Sequence, residues 1–431
     1  MRHVVGSFCA IRRWSFGRRR FFVILIFVVF LISFHSPFYQ KQSSLKYEHH
    51  KIDIIELEAK FSSRILRREN DDEWRKKTIE KRDSSHGRES HDSMTIIDDI
   101  RRVGSRNKVT RVILKAIHLA VVACGDRIEE PLMMLKSAVM FGQKPLHVHV
   151  FTDEGLWPKF SESFQHWQRA VTWRSFSYTL YLTSFPADQA DEWRRLFKLC
   201  ASQRLFIPDL LSSTDALLYV DTDVLFLRPP EDLWAYFEYF NETHIAALSP
   251  ETEDVSTNWY VRFARHPYYK PLGVNSGVML MNLTRMREFH WSDHLSPALV
   301  KYRYNITWGD QDIINIIFSA YPDKLYVFGC EWNYRPDHCM YMSTCEGVEK
   351  NGASILHGSR GYFHSEKQPV FKAVYDTFKK YKFGSDLKTN LHDVLDSTLS
   401  AMANTTCGML YDVFLKQVRK YVGKERAQGL P

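Results

Sequence analysis

The chain has 431 residues, 14% of them aromatic, and a net charge of +8. That length implies two or three modules, with aromatic content enough for a core of normal size in the second half. The basic surplus crowds the N-terminus at Arg12, Arg13, Arg18, Arg19 and Arg20, and no basic stripe with interleaved aromatics recurs later, which argues against nucleic-acid binding.

Phe21 to Phe34 reads FFVILIFVVFLISF, a charge-free apolar run. With His35, Pro37, Phe38 and Tyr39 it reaches about 19 residues, just enough to cross a bilayer of roughly 30 Å. The basic flank places the N-terminus in the cytosol, and no small-x-small cleavage site follows the run. Residues 1–20 therefore read as a cytosolic tail and 21–39 as a transmembrane signal-anchor. Residues 40–115 are polar and highly charged and cannot bury enough apolar surface to offset ordering entropy, so they read as a stem. The short span suits a thin early-secretory membrane. The topology is that of a single-pass type II protein of the endoplasmic reticulum or Golgi, with the remainder lumenal.

From His118 the texture changes. HLAVVA (118–123), HVHVFT (147–152) and ALLYV (216–220) read as buried strands, and Val171 to Tyr178 alternates like another. Pro131 to Met140, Phe160 to Arg169 and Trp193 to Ile207 read as helices, the last stopping at Pro208. Strands alternating with helices predict an α/β domain over 116–380, its mostly parallel sheet flanked by helices. Residues 381–431 read as a C-terminal helical extension. Of seven cysteines, Cys9 precedes the anchor. The six others (Cys124, Cys200, Cys330, Cys339, Cys345 and Cys407) are compatible with disulfides in any pairing. Cys339 and Cys345 are close enough to pair locally, and buried free thiols are an equal reading for Cys124 and Cys200. Asn241, Asn282, Asn305 and Asn404 each begin an Asn-x-Thr sequon for N-glycosylation.

Chemistry concentrates in four places. In ALLYVDTDVLFL (216–227), Asp221-Thr222-Asp223 follows an apolar strand, at the strand end where open α/β sheets bind ligands. Two buried like charges require a cation, and oxygen ligands favour Mn²⁺ or Mg²⁺. Such an ion can neutralise a diphosphate leaving group. In GVNSGVMLMNL (273–283), the small residues Asn275, Ser276 and Gly277 permit close approach of a polar ligand. In WGDQDIINIIF (308–318), Asp310, Gln311 and Asp312 begin an apolar helix. One acid can be its N-cap, but three polar residues exceed what a cap needs and suit sugar hydroxyls and a developing oxocarbenium centre. In ILHGSRGYF (355–363), His357 can be a third metal ligand, and the turn bounded by Gly358 and Gly361 can present amides to phosphate. Arg204 has the fork geometry for a carboxylate or a phosphate. A haloacid-dehalogenase-type phosphatase also places Asp-x-Asp after a strand, but there the motif opens the domain, and after Gly309-Asp310 the expected second acid is Ile314.

In this order the residues resemble the retaining glycosyltransferase family that includes glycogenin and bacterial lipopolysaccharide galactosyltransferases. The resemblance covers roughly residues 116–380 and implies a GT-A, Rossmann-like fold. It implies that Asp221, Asp223 and His357 ligate Mn²⁺, and that Ala123, Cys124, Asp126, Arg204, Thr222, Asn275, Ser276, Gly277, Gly358 and Gly361 bind the donor. Asp310, Gln311 and Asp312 are then the catalytic cluster, with Gln311 opposite the leaving group stabilising positive charge in a front-face, internal-return route, and a double displacement through Asp310 or Asp312 as the alternative. The family's His-x-x-Gly-x-x-Lys-Pro spacing appears only loosely, as His357, Gly361, Lys367 and Pro369. HLAVVACGDR, RFARHPYYK, NITWGDQD, EWNYRPDHC and ILHGSRG resemble more narrowly the animal glucoside xylosyltransferases. That resemblance implies UDP-xylose as donor and O-linked glucose on EGF-like repeats, as in Notch, as acceptor, joined α1,3. Another UDP-sugar on the same fold, such as UDP-glucose or UDP-galactose, and a non-catalytic membrane-anchored sugar-binding protein are the alternatives.

Overall fold

A computed structural model describes residues 116–172, 175–196 and 200–427. The tail, anchor and stem expected over 1–115 lie outside the described residues, as does Cys9. Among the described residues no helix is long and apolar enough to cross a membrane.

The apolar runs become strands because both of their faces are covered. In β1 (Ile117–Ala123), Leu119 and Val121 enter one core while Ala120 and Val122 enter a second on the opposite side. This is why the run is apolar throughout rather than alternating. The chain continues through β2 (Leu146–Thr152), β3 (Phe176–Leu182), β4 (Ala216–Val220), β5 (Val224–Phe226), β6 (Ala246–Pro250), β7 (Val274–Asn282), β8 (Leu325–Val327) and β9 (Ile355–His357). The main sheet has the order β3-β2-β1-β4-β7-β6-β8, and β5 and β9 form a separate antiparallel pair. Only β7 opposes its neighbours β4 and β6; the other pairings in the main sheet are parallel. The architecture is a GT-A-like α/β fold with a mostly parallel sheet.

Helices α1 (Glu129–Phe141), α2 (Trp157–Ala170), α3 (Asp310–Ala320), α4 (Pro369–Lys380) and α5 (Tyr411–Ala427) flank the sheet. Lys136 on α1 is buried and donates to the carbonyls of Phe378, Lys379 and Tyr381 at the end of α4, meeting the negative pole of that helix. Burial lowers its pKa to about 8. Leu391, Leu395, Leu399, Phe414 and Val418 enter the same core as β1 and α1, so the C-terminal helices share the packing of the α/β domain.

Several expectations are corrected. Trp193–Ile207 is not one helix: Ala190–Arg195 is helical, Ala201–Phe206 is a 3₁₀ turn, and Cys200 between them is left-handed at φ 62°. Pro208 stops nothing; it stands in the first turn of Ile207–Leu210, where a missing N–H is harmless. β3 begins at Phe176 rather than Val171, because the Val171 N–H closes α2 on the Trp167 carbonyl. Neither Asp310 nor Asp312 is the N-cap of α3, a place taken by Gly309 at φ 61°. Cys339 does not pair with Cys345, and Cys124 and Cys200 are not free thiols. The disulfides are Cys124–Cys200, Cys330–Cys345 and Cys339–Cys407. Asn241 and Asn404 are exposed, while Asn282 and Asn305 are half-buried. Asn282 also caps the following helix through its carbonyl oxygen.

At the sheet's opposite end from the acidic motif, His118, His147 and His149 share one face of β1 and β2. His118 Nδ1 lies 2.9 Å from His149 Nε2, and His149 Nδ1 lies 3.0 Å from the Tyr181 hydroxyl. Burial lowers all three pKa values, that of His149 to about 3, with mutual repulsion adding to it there. In the unfolded chain these groups titrate near 6.5. Below that pH the unfolded state binds more protons, so stability is complete above 6.5 and falls as pH drops toward 3. The expected result is a falling urea midpoint between neutral and mildly acid pH, and a shallower fall in His149→Phe. Equal slopes in the two proteins would count against it.

Candidate active site

The acidic motif sits where β4 leaves the main sheet and β5 begins. The Asp221 N–H donates to the Gly277 carbonyl on β7 at 2.9 Å. Val224 pairs with His357 across β5 and β9, and the Gly358 N–H donates to the Asp223 carbonyl at 2.7 Å. These backbone bonds bring His357 to the acids from far along the chain. His357 Nε2 lies 3.4 Å from Asp223 Oδ1 and 3.9 Å from Asp221 Oδ2. One ligand atom from each residue falls within 4.8 Å of the others. Asp223 and His357 are buried and Asp221 is partly open. Two carboxylate oxygens and an imidazole nitrogen converging in a poorly solvated place fit a divalent cation such as Mn²⁺ or Mg²⁺.

Arg204 organises the other side. Its guanidinium pairs with Asp221 at 3.0 Å and with Asp310, donates to the Ser276 carbonyl at 2.6 Å, and lies 4.5 Å from the Tyr219 ring centre. Burial opposes its charge, but Asp221 and Asp310 outweigh that and raise its pKa. Burial likewise raises the Asp310 carboxyl, and Arg204 holds it back. The carboxylate partner expected for Arg204 is supplied by Asp221 and Asp310.

A cavity of ≈ 350 Å³ opens in front of these groups. Ala123, Cys124 and Asp126 form the wall at the end of β1, and Asp221, Thr222 and Asp223 lie across from them. Arg204, Ser276, Asp310 and Gln311 complete the predicted residues on its lining. The Cys124–Cys200 disulfide ties that wall to the turn carrying Arg204. Asn275, Gly277, Asp312, His357, Gly358 and Gly361 do not line it; His357 stands behind Asp221 and Asp223. Asp312 is buried and accepts from the Tyr260 hydroxyl (2.8 Å) and from the Thr307 and Trp308 N–H groups (2.7 Å each), so it shapes the loop before α3. The Gly358 amide is committed to Asp223 rather than open to phosphate. Gly361 supplies a left-handed turn residue at φ 77°.

Gly277 acts by making room. A Cβ there would stand 2.2 Å from His357 Cε1 and 2.6 Å from its Nδ1. Gly277→Ala is therefore expected to push the imidazole off the acids and lower transfer by about 10²-fold, the scale of a 1 Å misplacement. Retained activity in a folded variant would contradict this use of Gly277.

Four partners carried no prior signal. Trp308 lines the cavity beside Gln311. Tyr260 and Glu251 accept from the Gln311 amide at 3.2 Å each, and Asn333 contacts His357 at 2.9 Å. Asn333 lies in EWNYRPDHC, conspicuous in the sequence only as a string.

The model of the Glycosyl transferase family 8 matches residues 158–357. Glucoside xylosyltransferase 1 of Gallus gallus is 50% identical over 319 residues, covering 72% of this chain and 73% of that protein. The Homo sapiens protein of that name is 50% identical over 327 residues, covering 73% and 74%. The chain belongs to the glucoside xylosyltransferase family. Membership removes the phosphatase alternative. Glucoside xylosyltransferase 2 of Xenopus laevis is similar to the same extent, 50% over 315 residues, covering 70% of this chain and 74% of that protein. Among solved structures, mouse xyloside xylosyltransferase 1 in its apo form is 17% identical with a TM-score of 0.45, covering 57% of this chain and 98% of that one.

Proposed function

We propose that this chain is a retaining glycosyltransferase that moves xylose from UDP-xylose, in α1,3 linkage, onto O-linked glucose of EGF-like repeats such as those of Notch. In this reading it works as a single-pass type II protein of the endoplasmic reticulum or Golgi, with residues 40–115 as stem and Asn241, Asn282, Asn305 and Asn404 as glycan sites. The observation that carries it is the Asp221, Asp223 and His357 cluster, whose two acids line a cavity of ≈ 350 Å³, in a chain 50% identical over 319 residues to a glucoside xylosyltransferase.

Asp221, Asp223 and His357 would hold Mn²⁺, which when bound supplies positive charge against the diphosphate. Ala123, Cys124 and Asp126 would face the uridine, and Thr222 and Ser276 the rest of the donor. Arg204 fixes both Asp221 and Asp310 through its ion pairs. Asp310 is paired with Arg204, and Asp312 is buried and accepts from Tyr260, Thr307 and Trp308, which supports a route without a carboxylate nucleophile. Retention then favours a front-face route in which the departing phosphate oxygen takes the proton of the acceptor hydroxyl. The Gln311 carbonyl oxygen, held by the Ser276 N–H at 3.1 Å and the Ser276 hydroxyl at 3.4 Å, would lie against the positive charge that develops at the anomeric carbon.

The test is incubation of the full chain with Mn²⁺, an O-glucosylated repeat and UDP-xylose, UDP-glucose or UDP-galactose in parallel, read by mass. A pentose added to the glucose is expected. Preferred hexose addition would mean another donor, and UDP binding without turnover would leave a binding protein.

A further inference from the structure

EWNYRPDHC enters the site through one buried side chain. Asn333, fully buried, places Oδ1 at 2.9 Å from His357 Nδ1 and Nδ2 at 2.8 Å from Asn275 Oδ1 and 3.0 Å from Ser249 Oγ. Which end of an amide faces which neighbour follows here from groups that cannot reverse their roles. The Gly277 backbone N–H can only donate, and it points at Asn275 Oδ1 at 3.0 Å. On the other side of the same amide, Asn275 Nδ2 meets Glu251 Oε2 at 2.9 Å, an acceptor. Asn275 is thus oriented twice over. Its Oδ1 requires a donor from Asn333, which turns the Asn333 carbonyl oxygen toward the imidazole. An oxygen facing Nδ1 requires the proton there, so Nε2, beside Asp221 and Asp223, is the ring nitrogen left to bind a cation.

We propose, resting on the metal reading above, that Asn333 is the positioning residue that holds His357 in its metal-binding tautomer, with its own orientation dictated by the Gly277 N–H through Asn275. Metal-bound histidines generally donate their second ring N–H to a fixed acceptor, and losing that acceptor weakens metal binding by about 10–100-fold. An amide serves here where a carboxylate is the usual partner. The distinction matters because a third buried carboxylate would add to the charge already gathered at Asp221 and Asp223. The relay also has a second branch. Glu251 Oε2 accepts from Gln311 Nε2 at 3.2 Å and from Arg335 Nη1 at 3.1 Å as well as from Asn275. The Gln311 amide and the His357 ring are therefore registered against one another through Glu251, Asn275 and Asn333.

Two measurements on the full chain test this. In metal-free protein labelled with ¹⁵N-histidine, the His357 resonance (assigned by its loss in His357→Gln) is expected to report a protonated Nδ1. A neutral Nε2–H tautomer would overturn the proposal, and no change of fold is involved in that reading. In Asn333→Leu, Mn²⁺ affinity measured from the free-ion electron spin resonance signal is expected to fall about 10–100-fold, with the His357 tautomer becoming mixed. Unchanged affinity in folded Asn333→Leu would also overturn it. A wild-type chain that bound no Mn²⁺ would instead count against the metal reading and leave the tautomer result standing.

Discussion

Replacing Arg204 by methionine is expected to lower the free energy of unfolding by about 3–5 kcal/mol and to abolish transfer. The size follows from what remains behind. Asp310 is 2% exposed, and Arg204 is the cation paired with it. Without the guanidinium a buried carboxylate is uncompensated, and Asp221 loses its partner at 3.0 Å. The methionine fills much of the volume above Tyr219, so the loss reads charge rather than packing. Adding Asp310→Asn to Arg204→Met removes the stranded charge and is expected to recover part of the stability without recovering activity, because the two residues are coupled. Denaturant titration of the single and double variants checks both statements. A wild-type midpoint in Arg204→Met would show that the pair is not a buried electrostatic unit.

Asp223→Asn is expected to lower kcat by about 10²–10³-fold, the scale lost when one electrostatic element of a preorganised site is removed. The substitution keeps the side chain's shape and removes its charge. In metal-free protein it should leave the unfolding midpoint unchanged or slightly raised, because two like charges near His357 become one. The pairing of an undamaged fold with a collapsed turnover separates a ligand from a structural acid. Initial rates against Mn²⁺ concentration, alongside a thermal melt, decide it. Full turnover in Asp223→Asn would exclude the residue from the chemistry.

The sheet was legible in the sequence wherever a strand is buried on both faces. HLAVVA, HVHVFT and ALLYV carry continuous apolar runs, and each became a strand. The segment from Trp193 to Ile207 was misread because its apolar spacing is compatible with a helix, while Cys200 is held left-handed and bonded to Cys124. Local periodicity carries no trace of that long-range bond. The same limit governs the site. Asp221 and Asp223 stand out through apolar neighbours on both sides, and His357 through its glycine-bounded turn. Asn333 and Glu251 have neither mark, since their importance lies in what β6 and the β9 segment bring to them in space. Asp312 is the converse case: its carboxylate sits in a chemically suggestive triplet, and its hydrogen bonds run to Tyr260 and the loop before α3.

Whether Asp221, Asp223 and His357 grip one ion is decided most directly by equilibrium binding of Mn²⁺ to the full chain with UDP present. One ion per chain is expected in the wild type, with binding lost in Asp221→Ala/Asp223→Ala and strongly weakened in His357→Ala. Undiminished Mn²⁺ binding by those variants, all still folded, would contradict a shared cation at the end of β4.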